Sequence, residues 1–101
     1  MTKKYIIDID GTISNTSGND YSNSIPIKNR IQQINSLYDQ GHYIKYMTAR
    51  GATSKIDHSD LTIHQLNSWG CKYHELSIGE KEHYDFWIDD KAQNAKDFFN
   101  D

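Results

Sequence analysis

Short apolar runs rich in β-branched and aromatic residues alternate along this chain with segments of helical periodicity, and that alternation restricts the fold more than any other feature. Lys4-Tyr5-Ile6-Ile7-Asp8 reads as a buried first strand, and the polar stretch from Ser14 to Ser24 reads as a loop. Ser24 is placed to cap a helix whose first turn tolerates Pro26. Along it Ile27, Ile31, Ile34, Leu37 and Tyr38 recur at helical spacing until Gly41 ends the run. Tyr43 to Thr48 is predicted as a second strand, followed by a polar loop from Arg50 to Ser59. Leu61, Leu66 and Trp69 mark one face of a second helix, which Gly70 should terminate. Tyr73 to Ile78 and Phe86-Trp87-Ile88 are predicted as a third and a fourth strand, and Ala92 to Phe99 as a closing helix.

Strands that alternate with helices imply parallel pairing through right-handed crossovers, with helices covering both faces of one sheet. In such sheets ligands sit beyond the carboxyl ends of the strands. The polar clusters of this sequence fall at those ends: Asp8 to Thr12, Thr48 to Arg50, and Asp89-Asp90. Three groups distant in sequence are therefore expected to meet in one crevice.

At 101 residues the chain holds one domain, residues 1–101, with a single core. No run approaches the roughly 20 apolar residues of a membrane span, and the apolar run after Lys4 is too short for a signal peptide, so a soluble, cytoplasmic protein is expected. Cys71 stands alone, which excludes an intrachain disulfide and leaves a cysteine zinc site without ligands. The net charge of −3 gives no global attraction to nucleic acid or to an anionic membrane. Any anion must be captured locally.

Two carboxylates two residues apart and followed by glycine place acids where a strand ends and the backbone turns sharply, and Gly11 relieves the steric limits on that turn. Four fixed residues in this pattern arise by chance roughly once in 10⁵ starting positions. The segments Ile6-Ile7-Asp8-Ile9-Asp10-Gly11-Thr12, Tyr46-Met47-Thr48-Ala49-Arg50 and Trp87-Ile88-Asp89-Asp90-Lys91, with a lysine before the last, resemble in order the four motifs of the haloacid dehalogenase (HAD) superfamily. The resemblance implies a three-layer, Rossmann-like α/β core with a mainly parallel sheet of about four strands in the order 3-2-1-4.

It also implies a magnesium-dependent phosphomonoester hydrolase. Asp8 would be the nucleophile that forms an aspartyl-phosphate, and Asp10 the group that protonates the leaving oxygen and later deprotonates water, which requires a raised pKa. Asp8, the Asp10 backbone carbonyl and Asp89 would hold Mg²⁺, while Asp90 would hold its waters. Thr48, Lys81 and the backbone amides near Ile9 and Asp10 would bind the phosphate. Arg50 is open between a phosphate contact and a structural ion pair.

Members of that superfamily commonly carry an inserted cap domain, and neither gap between motifs has room for one here. A site without a cap is completed by a neighbouring subunit, by its own loops or by a bulky substrate, and the segments Thr12–Ser24 and Gly51–Ser59 flank the crevice. Some features also resemble the phosphatase domain of polynucleotide kinase-phosphatase. The expected substrate is a small sugar phosphate or nucleotide. The alternatives are a 3′-phosphate on nucleic acid, disfavoured by the lack of a basic groove, and a non-catalytic binding module of the same fold.

Overall fold

The computed structural model describes residues 2–80 and 85–101. The chain opens with strand β1 (Lys4–Asp8) and then turns into a small hairpin of β2 (Ser14–Asn15) and β3 (Ile25–Pro26), with one turn of 3-10 helix at Tyr21–Asn23 between them. Helix α1 (Lys28–Asp39), strand β4 (Tyr43–Thr48), helix α2 (Ser59–Ser68), strand β5 (Glu75–Ile78) and helix α3 (Ala95–Phe99) follow. β1, β4 and β5 form one parallel sheet in that spatial order, with Tyr5 beside Ile44, Ile7 beside Tyr46, and Thr48 beside Ile78. This bears out the expected α/β class and parallel pairing. Among the described residues no helix is long and apolar enough to cross a membrane.

Side chains paired across a parallel ladder share a face, so β1 and β4 have one face carrying Tyr5, Ile7, Ile44, Tyr46 and Thr48 and another carrying Ile6, Lys45 and Met47. The first face is the core. Ile7, Ile44 and Tyr46 pack there with Ile9 and Ile13 of the turn, Ile31 and Ile34 of α1, Leu66 of α2 and Phe99 of α3. Each such side chain contributes about 1.5–3 kcal/mol by leaving water. The second face is polar or exposed: Lys45 pairs with Glu75 at 3.1 Å, Tyr43 donates to Glu75 at 2.9 Å, and Ile6 is 58% exposed.

The expectation of helices on both faces is thus corrected: the buried residues of all three helices join one cluster. The reason is topological. From β1 to β4 and from β4 to β5 the chain steps in the same direction, and right-handed crossovers made in one direction put both helices on the same side. A helix on the other side requires a strand beyond β1, and among the described residues β1 is the sheet's edge.

That missing neighbour is the predicted fourth strand. Phe86-Trp87-Ile88 forms no strand, and Phe86 and Ile88 are 86% and 95% exposed, so the segment has neither a ladder nor a layer to bury against. The start of α1 is a second correction. Pro26 pairs with Ser14 in β3 instead of opening the helix, Ile27 is the cap residue without a side-chain cap, and Ser24 bonds the Thr16 hydroxyl at 2.6 Å. A residue that lacks an N–H suits a two-residue edge strand. The Ile27 amide then donates to the Ile13 carbonyl at 2.8 Å and fixes the hairpin against the first turn. The closing helix is shorter than expected. It starts after Asn94, whose side chain accepts from the Lys96 amide.

Candidate functional site

The turn after β1 is a closed hydrogen-bonded unit. The Ile9 amide donates to the Met47 carbonyl at 3.2 Å and carries the ladder one residue past Asp8. The amides of Thr12 and Ile13 both donate back to the Ile9 carbonyl, and the Gly11 amide donates to Ser14. Gly11 has a φ of 84°, the left-handed conformation that glycine adopts without a Cβ penalty. Arg30 of α1 donates to the Thr12 carbonyl at 2.9 Å and pairs through Nε and Nη2 with the Asp101 carboxylate, each at 2.8 Å. The turn is thereby tied to both the first helix and the last described residues.

This unit places Asp8, half-buried, as the last residue of β1 beside Met47, and turns Asp10 toward the end of β4. Asp10 meets Arg50 in a bidentate pair, Nη2 to Oδ1 at 2.8 Å and Nε to Oδ2 at 2.9 Å. The Thr16 hydroxyl donates to Oδ1 at 2.7 Å and the Thr48 hydroxyl to Oδ2 at 3.3 Å. Arg50 is wholly buried, while the Asp10 side chain keeps 24% of its surface exposed. The remaining guanidinium hydrogens go to Thr62 and Gln65 of α2 and to Ser24, and the guanidinium lies 4.7 Å from the centre of the Tyr21 ring. Gln65 donates in turn to the Tyr21 carbonyl at 2.6 Å.

Arg50 settles one of the alternatives left open by the sequence. A guanidinium has five N–H donors, and all five are used inside the protein. It is a structural ion pair, and the assignment as a phosphate contact is corrected. Ile9 is corrected on the same logic, because its amide belongs to the sheet ladder. Thr48 stands where expected, buried at the strand end, with its hydroxyl oxygen also accepting from the Arg50 amide at 3.2 Å.

The environment of Asp10 differs from the one its expected acid role requires. Burial pushes its pKa up, but the hydrogen bonds from Arg50 and Thr16, the charge of Arg50 and the bond from Thr48 together outweigh burial and hold it below the ordinary aspartate value. In this arrangement Asp10 is an ionised acceptor, which suits a base. A donor role requires a further negative charge nearby to raise it.

Asp89 and Asp90 are exposed, in a stretch without regular structure, and Asp89 accepts from the Lys91 amide at 2.8 Å. That amide, then the Asp90 side chain, lowers the Asp89 pKa. Among the described residues no three carboxylate, imidazole or thiol side chains gather where they could hold a metal ion, so the expected set of Asp8, Asp10 and Asp89 is not assembled. Lys81 lies outside the described residues. Cys71 is half-buried, and burial pushes its thiol up to about 11, so it is not a reactive thiolate at neutral pH.

Sequence reasoning missed Thr16, Ser24, Thr62 and Gln65, which complete the Arg50 and Asp10 network. The signal for two of them was present: Thr62 and Gln65 are polar residues three to four positions from Leu61 and Leu66, on the face of α2 that must be buried. Polar groups at core positions point to a buried partner.

Fold and site define a small α/β protein that collects an ion pair, two threonine hydroxyls and a strand-end carboxylate at the carboxyl ends of parallel strands. Its fold is similar to the crystal structure of a structural-genomics target from Vibrio cholerae, with a TM-score of 0.85 and 28% sequence identity over 97% of this chain and 88% of that one. No protein-family model and no curated protein matches the sequence.

Proposed function

We propose that the protein is a phosphomonoester hydrolase that acts through an aspartyl-phosphate on Asp8 and takes a small phosphorylated metabolite. The observation that carries this reading is the approach of Asp10, Thr48 and Arg50 to one another at the strand ends next to Asp8. An Asp8 carboxylate oxygen attacks phosphorus, the ester P–O bond breaks, and the leaving oxygen takes a proton from Asp10. Water then attacks the acyl phosphate, Asp10 takes its proton, and the Asp8–phosphorus bond breaks to release phosphate.

The lowered pKa of Asp10 fits the second half of this sequence directly. For the first half, a phosphate dianion beside Asp8 adds the negative charge that raises Asp10 toward protonation. Arg50, stacked and five-fold bonded, keeps the carboxylate aimed during both steps. The net charge of −3 supports a small substrate over a polyanionic nucleic acid.

Magnesium belongs to this reading as the cation whose preference for hard oxygen ligands matches Asp8 and Asp89. The described arrangement does not fit it, because Asp89 stands apart, and no step here is routed through the ion. The open edge of β1 and the exposed Phe86-Trp87-Ile88 segment support an arrangement in which that segment pairs with β1 and carries Asp89 to the strand end.

The test is phosphate release from sugar phosphates, nucleotides, 3′-phosphorylated oligonucleotides and para-nitrophenyl phosphate, with magnesium and with EDTA. Release that needs magnesium and drops at least about 10³-fold in Asp8→Asn is the expected result. Equal inactivity of the parent and Asp8→Asn toward every substrate would leave a binding module. Release from oligonucleotides alone would reverse the choice of substrate.

A further inference from the structure

A polar cavity opens beside Asp10 under the β2–β3 hairpin. It has a volume of about 250 Å³, and its lining includes Gly11, Asn15, Thr16, Asp20, Asn23 and Ile25. Thr16 is shared with the site already described, since its hydroxyl bonds both Asp10 and Ser24. Whatever fills the cavity therefore lies one hydroxyl away from the group assigned to move the proton.

The chemistry of the lining is narrow. Asn15 and Asn23 each offer a donor and an acceptor, Ser17 adds a hydroxyl, and Asp20 only accepts. Asp20 takes the Nδ2 hydrogens of Asn23 at 3.0 and 3.2 Å, which fixes that amide and leaves its oxygen as an acceptor. No lysine or arginine lines the space, and Asp20 brings a negative charge. Such a wall repels a second phosphate and suits a neutral group with several hydroxyls, whose oxygens both donate and accept. Ile25 provides one apolar contact for carbon-bound hydrogens.

Size narrows it further. Sites for drug-sized ligands run from about 300 to 1,000 Å³, so this cavity holds a group of monosaccharide size and has no room for a sugar together with a base. The geometry points to this hairpin cavity as the binding site for the leaving group of the substrate, and to that group as a single sugar or similar small polyol. This inference rests on the phosphohydrolase reading above and names the substrate class within it.

Two experiments separate the failure of the inference from the failure of that reading. The first needs no catalysis. Backbone amide resonances of Gly11, Asn15, Asp20 and Asn23 are followed by NMR in Asp8→Asn while glucose 6-phosphate, adenosine 5′-monophosphate or inorganic phosphate is added. Shifts at Asn15, Asp20 and Asn23 with glucose 6-phosphate, and none there with phosphate alone, are expected. Identical shifts with phosphate alone, or equal shifts with the nucleotide, overturn the assignment.

The second experiment is kinetic and uses Asn15→Ala and Asn23→Ala. Each is expected to lower kcat/KM for glucose 6-phosphate by about fivefold relative to its own value for para-nitrophenyl phosphate, through KM, because a neutral hydrogen bond to the sugar is lost. An unchanged ratio in both variants overturns the cavity as the sugar site. Inactivity of the parent chain toward para-nitrophenyl phosphate overturns the phosphohydrolase reading instead, and the NMR titration still decides the cavity.

Discussion

A buried arginine with all five donors used is a different object from one that reaches for a ligand. Arg50 contributes to the fold because its partners, Asp10, Ser24, Thr62 and Gln65, come from three separate stretches of chain. Arg50→Ala leaves Asp10 and two buried side chains of α2 without their partner, and is expected to cost about 3 kcal/mol in urea denaturation. Arg50→Lys keeps the charge but loses the fork, and should recover only a minor part of that cost. A loss below about 1 kcal/mol for Arg50→Ala would show the pair to be dispensable.

The sign of a pH effect follows from the carboxylates in the same way. The Asp101 carboxyl is pushed down to about 2, chiefly by its hydrogen bond from Arg30, and Asp10 also lies below its ordinary value of 3.8. A group whose folded pKa lies below its unfolded value stabilises the fold above the unfolded value, and that stability is lost as pH falls through the folded one. The thermal midpoint should therefore decline as pH drops from about 4 toward about 2. Asp101→Asn should flatten part of that decline, and an unaltered acid limb in this variant would remove Asp101 from the account.

Among the elements, the loops bear the tightest local constraints. Gly51 sits at φ 82°, and a Cβ there would collide with the Ile56 carbonyl oxygen. The segment that closes over it lies against His58, whose ring packs edge-on to Tyr21 at 5.0 Å. Gly51→Ala is expected to destabilise the chain by about 1–3 kcal/mol in the same denaturation measurement. A neutral result would mean that this loop adopts another path. The hairpin of β2 and β3 carries the opposite lesson, since only two residue pairs hold it. Its position comes instead from the Ile27–Ile13 backbone bond and from Gln65 and Arg50 at Tyr21.

For the whole molecule, the same-direction crossovers confine the apolar core to one face of the sheet. Ile6 and Ile7 are adjacent in sequence and identical in chemistry, yet Ile7 is 8% exposed and Ile6 58%. Ile7→Ala is expected to cost about 2–4 kcal/mol and Ile6→Ala less than about 1. Equal costs, measured side by side, would mean that the second face is covered by a segment such as Phe86-Trp87-Ile88.

The sequence by itself determined the parallel α/β class, the boundaries of β1 and β4, the glycine turn after Asp8 and the placing of Thr48 at a strand end. These are local matters, set by periodicity, β-branching and the conformational freedom of Gly11. Only the tertiary structure decided that Pro26 is strand and not helix, that Arg50 faces Asp10 and not solvent, and that Asp10 is held ionised. It also left Phe86 to Asp90 off the edge of β1. Each of these depends on which partner, 12 to 71 residues away for groups such as Thr62 and Asp101, reaches a given polar atom first. Periodicity carries no information about that competition, because it reports which side of an element is buried and not what it is buried against.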